Sequence, residues 1–171
     1  MQALLVALRL LHIVLGVYWA GAIFFFVTFV QPSIRDAGPD GMKVAQQIIR
    51  RGYLNIVPAI AGLTILAGLT LYWLDARAMR GVWMSSGTGR TFTLGAAAAL
   101  AGFAVGMAVV RRSMLRVVAL GQTLPQLAEG PERQARMVEI DRLRARATSG
   151  AQWVAGLLLV AAAAMAVARY V

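Results

Sequence analysis

The chain of 171 residues has no cysteine, one histidine and one lysine. Without cysteine there are no disulfides, thiolate metal ligands, iron–sulfur clusters or cysteine nucleophiles. The lone histidine, His12, leaves Ser85 and Ser86 without a second imidazole or a nearby base, so hydrolytic catalysis has no support. Only seven residues are acidic, and none lies within a long apolar run. Asn55, Thr64, Thr70 and Thr93 are too few and too scattered to replace carboxylates along an ion or proton path. The glycines of residues 85–90 lack the lysine and spacing of a phosphate-binding loop.

What the chain does have is apolar length: 60% of its residues are hydrophobic. About 20 apolar residues cross a hydrocarbon core as a helix, and four segments reach that length. Residues 4–31, 53–75, 91–112 and 150–170 are therefore expected to be spans of a single transmembrane domain covering residues 1–171. Each is apolar on every side, where barrel strands would be shorter and alternating. The expected fold is all-α, an integral membrane four-helix bundle in a lipid bilayer. The first run continues through Phe29, too long for a signal-peptide core, so it is expected to remain as a helix.

The net charge of +10 would suggest nucleic acid in a soluble protein, but here the cations gather at the ends of spans and report topology. Twelve of the 17 lie in the first and third connections and five (Arg9, Arg77, Arg80, Arg90 and Arg169) on the other side. The positive-inside rule then puts both termini on the non-cytoplasmic side of a prokaryotic cytoplasmic (inner) membrane, with no nucleic-acid partner.

Between the spans, Pro32 is expected to end the first helix, and a short polar helix from Lys43 leads to Arg50 and Arg51. The outer connection, Asp75 to Arg90, ends in a flexible turn. In the third connection, Leu120 to Gly130 reads as turn and residues 131–148 as a cytoplasmic amphipathic helix, solvated or on the membrane surface, that feeds the fourth span. That helix pairs Glu132 with Arg136, Glu139 with Arg142 and Asp141 with Arg144. Ala98, Gly102 and Gly106 recur at four-residue intervals, a face for close helix packing within the chain or in a homo-oligomer. Tyr53, Tyr72, Trp73, Trp153 and Tyr170 stand near span ends as interface anchors, whereas Trp19 lies near the middle of the first span.

An ionisable group at membrane depth costs about 2.5–3.5 kcal/mol on insertion scales, so His12 is the leading candidate for function. Helical spacing puts Arg9, His12 and Trp19 on one face, with Gly16 leaving space beside them. Three readings stand. His12 could be an axial ligand of haem b, with Arg9, Arg77, Arg80 and Arg90 near the propionates and Trp19 beside the ring. It could bind copper together with Met79 and Met84. Or it is helix glue in a non-enzymatic scaffold or assembly factor.

The pattern Leu11-His12, then Trp19-Ala20-Gly21, resembles the first helix of the CopD-like membrane proteins, which include copper-resistance D domains and HemJ-type protoporphyrinogen oxidases. The stretches Arg50 to Pro58 and Thr64 to Tyr72 are similar to their second helix. For the HemJ branch the resemblance implies haem b on His12, a basic residue one turn earlier at Arg9, and a membrane oxidoreductase or haem-handling role. For the other branch it implies copper handling.

Overall fold

The computed structural model describes residues 2–78 and 82–171, and every element among them is helical. Four helices are long and apolar enough to cross a membrane: α1 (Gln2–Asp36), α3 (Tyr53–Ala78), α5 (Gly87–Gln126) and α6 (Pro131–Tyr170). Two shorter ones connect them, α2 (Gly38–Arg50) and α4 (Val82–Ser85). The long helices run up, down, up and down. His12 of α1 meets Thr64 of α3, Tyr72 of α3 meets Thr93 of α5, and Gly95 of α5 meets Ala161 of α6. All three pairings are antiparallel, as short connections require. The bundle is two tight hairpins, α1 with α3 and α5 with α6, packed more loosely on each other.

The hydrocarbon core is about 30 Å thick. At ~1.5 Å per residue, α5 and α6 run about 60 Å and α1 about 52 Å, so all three outlast the core. The expected break at Pro32 does not occur. A π-helical turn at Phe26–Val30 precedes it, with the Gln31 amide donating to the Phe26 carbonyl. The widened turn moves the preceding carbonyls away from the proline ring, so the helix continues to Asp36.

The third connection also differs from expectation. Helix α5 passes through Leu120 and closes only with the 3₁₀ turn Leu124–Gln126, while residues 131–148 are helical from Pro131 as expected and run without a break into the span as the first half of α6. Where that half joins the span, Gly150 lies flush against α5: a Cβ there would sit 3.0 Å from side-chain carbons of Val109 and Val110. Close packing holds the helix straight through a glycine that could have ended it. The extension of the hairpin has its own small core of Val117, Leu120 and Ile140, with Leu143 against it. Glu139 pairs across the hairpin with Arg116 at 3.3 Å rather than along its own helix with Arg142. The pairs Glu132–Arg136 and Asp141–Arg144 do form.

At the opposite end, the expected flexible turn before Arg90 is the start of α5. Ser86 caps it, its hydroxyl accepting the Gly89 amide at 3.1 Å. Trp83 is buried there, edge-on to Tyr72 and stacked on Phe92. Of the aromatic anchors, Trp73, Trp153 and Tyr170 face outward, while Tyr53 turns in to stack on Phe26 at 5.1 Å. The small-residue face is used inside the chain. Gly95, Ala98 and Gly102 are buried, and a Cβ on Gly102 would lie 3.6 Å from Leu157 of α6. Where the sequence allowed intramolecular packing or a homo-oligomer through this face, α6 of the same chain covers it.

Candidate functional site

His12 faces α3. Its Nδ1 lies 2.8 Å from the Thr64 carbonyl oxygen. A carbonyl only accepts, so Nδ1 carries the proton and donates; in the neutral ring the lone pair is then on Nε2. Thr64 is buried, and its own hydroxyl donates back to the Ile60 carbonyl at 2.9 Å. One turn along α3 the ring rests on Gly68. A Cβ on Gly68 would sit 2.6 Å from His12 Cε1 and 2.9 Å from Nδ1, closer than any side chain tolerates. Gly16 on α1 faces the Thr64 methyl, where a Cβ would make an ordinary contact at 3.5 Å, so the close approach is at Gly68. The imidazole thus fills the space over Gly68 and closes it with a hydrogen bond.

Of the residues expected to join His12, the structure gathers few. Trp19 shares its face but lies seven residues on, about 10 Å along the axis. It is 4% exposed there, in a core with Val57, Ala61, Val154 and Leu158, edge-on to Phe103 at 6.5 Å. Its packing belongs to the hairpin-to-hairpin contact, not to the histidine. Arg9 and Arg90 are exposed. Arg77 lies over the Trp73 ring, 4.6 Å from its centre, a cation–π contact that occupies its guanidinium. Arg80 and Met79 lie outside the described residues. Met84 is 49% exposed on α4. Among the described residues, no three side chains of His, Cys, Asp or Glu converge as a metal site would need.

A second constellation, at the arginine-rich end, was read from the sequence only as topology. Pro58 stands inside α3 and has no amide hydrogen, so the carbonyl of Leu54, four residues earlier, loses its helical donor. Arg111 supplies one from the other hairpin. Its Nε donates to the Leu54 oxygen at 3.0 Å, and its Nη2 donates to Asn55 Oδ1 at 3.0 Å. Arg111 closes a π-helical turn, Gly106–Arg111, which sets the register of this side chain in α5. A proline in a span needs its orphaned carbonyl satisfied by a neighbour, and that requirement was the available signal.

Between this latch and Trp19 the two hairpins leave an apolar cavity of about 60 Å³, with Phe103, Met107 and Val154 on its wall. Pockets for organic ligands typically run to about 300–1,000 Å³. His12 does not line this cavity, nor a shallower groove beside Tyr18. The histidine offers a nitrogen suited to iron, and among the described residues Arg9 and Arg90 stand exposed and Arg77 lies on Trp73. Comparison with protein-family models, with curated proteins and with solved structures finds no match to this chain.

Proposed function

We propose that this chain is a non-enzymatic membrane scaffold or assembly factor in which His12 locks the first helical hairpin. The observation that carries the reading is the bond from His12 Nδ1 to the Thr64 carbonyl, made with the ring seated directly on Gly68. The binding surface of such a scaffold would be the projecting half of α5 and α6. It is rich in arginine and held together by its own core, with the exposed Arg116–Glu139 pair bridging the two helices. We place that end in the cytoplasm and both termini outside a prokaryotic inner membrane, following the distribution of cations. With the Ala98–Gly102 face covered by α6, any homo-oligomer would have to use another surface.

A haem b protein is the second reading, and one observation favours it. A histidine whose Nδ1–H is fixed on a backbone carbonyl presents an unprotonated Nε2, the arrangement found behind metal-bound imidazoles. With His12 lining neither cavity described above, the group would sit on the lipid-facing side, shared with a second copy. An absorption spectrum separates the readings. Protein expressed with a haem precursor and purified in detergent is expected to be colourless; a Soret band lost in His12→Asn would establish the haem reading instead.

A further inference from the structure

Gly52 has a φ of +87°, a left-handed turn that redirects the chain from α2 into α3. The turn lays Ile48 and Arg51 beside α1, and with Tyr18, Tyr53 and Ile56 they line an open groove of about 180 Å³. Its two ends differ in chemistry. Arg51 is exposed at the edge of the span, next to the equally exposed Arg50. Tyr18 lies eight residues before Phe26 on α1, about 12 Å deeper into the apolar run. It is 51% exposed, and Ile56 beside it is 47% exposed.

The tyrosine hydroxyls are treated differently. That of Tyr53 reaches the Ala22 carbonyl at 3.5 Å, whereas the Tyr18 hydroxyl and the Arg51 guanidinium make no hydrogen bond or ion pair among the described residues. A phenol hydroxyl facing hydrocarbon without a partner is costly, because no water reaches it. Two donors thus converge on one groove from the polar and apolar sides, and no carboxylate lines it. The groove calls for an anion at one end and a hydrocarbon chain along the other. In a bilayer, one molecule carries both.

We propose that this groove binds a single anionic phospholipid, its phosphate between Arg51 and the Tyr18 hydroxyl and an acyl chain along Ile56. Guanidinium suits phosphate through paired N–H donors, and the surrounding cations draw anionic lipid to this end of the protein. The test is native mass spectrometry of the full chain in detergent with phosphatidylglycerol and phosphatidylcholine added at equal concentration. One phosphatidylglycerol is expected to stay bound, at least tenfold in excess of phosphatidylcholine. Arg51→Gln and Tyr18→Phe should each lower that retention about fivefold or more. Both side chains are exposed, so the fold should persist; should Arg51→Gln fail to fold, Tyr18→Phe alone decides. Arg112→Gln, exposed at the same end but outside the groove, should leave retention unchanged. Equal loss in Arg112→Gln, equal retention of both lipids, or retention unaffected by Tyr18→Phe would each overturn the site. So would inorganic phosphate raising the melting temperature as far as phosphatidylglycerol does, since the lipid chain would then contribute nothing.

Discussion

Replacing Arg111 by methionine removes the donor from the Leu54 carbonyl, and the cost depends on what residue 58 is. With Pro58 in place, the carbonyl has no amide to fall back on. A hydrogen bond from a charged group contributes up to about 1.5–3 kcal/mol; here the bond to Leu54 is partly buried and the bond to Asn55 exposed, so losing both in Arg111→Met should destabilise by roughly 2 kcal/mol. With Pro58→Ala, an amide appears four residues after Leu54 and takes over the carbonyl in the ordinary helical way. Arg111→Met then forfeits only the exposed bond to Asn55, about 0.5–1 kcal/mol. The coupling between the two positions is therefore about 1–1.5 kcal/mol, measurable as a double-mutant cycle by reversible unfolding in mixed micelles. Residues that act independently add within ~0.3–0.5 kcal/mol. Additivity of that quality would refute the reasoning and leave Arg111 as an ordinary topological cation.

Other predictions follow from the same packing. Gly68→Ala should lower stability by about 1–3 kcal/mol in a thermal melt, because its methyl group overlaps the imidazole and displaces it from the Thr64 carbonyl or spreads α1 from α3; in a His12→Ala background most of that cost should vanish. Glu139→Gln should change stability by less than about 1 kcal/mol, since both members of its pair with Arg116 are largely exposed and screened. The lack of native cysteine makes sidedness testable in cells. A membrane-impermeant maleimide should label Ser85→Cys in intact cells and Gln134→Cys only after permeabilisation; the reverse pattern would invert the topology.

The four spans were legible because a helix in lipid must satisfy its backbone internally and show an apolar surface, and both leave a plain mark on composition. The start at Tyr53 and the end at Tyr170 were legible too, but not how far the helices run on at the other ends. A helix does not stop where its residues turn polar, and residues 131–148 continue into the span because nothing breaks the backbone and α5 packs along it. Pro32 misled in the other direction, since a π turn accommodates a proline that propensity alone reads as a stop. At the site, His12 could be singled out as the chain's one histidine, placed inside a span. Its partner could not, because the acceptor is a backbone carbonyl, which every residue has. Trp19 had the right spacing for a neighbour of His12, but a face that is continuous along a helix meets different surroundings every two turns.

The central claim is that His12 acts through its Nδ1–H and its shape, and His12→Asn tests it most directly because the asparagine amide places a donor near the position of Nδ1. In unfolding of the purified protein, His12→Asn is predicted to retain most of the wild-type stability, while His12→Ala loses about 1–3 kcal/mol by leaving a gap over Gly68 and the bond to Thr64 unmade. Equal stability of wild type and His12→Ala would contradict the account, and show that the imidazole is kept for something other than holding the two helices together.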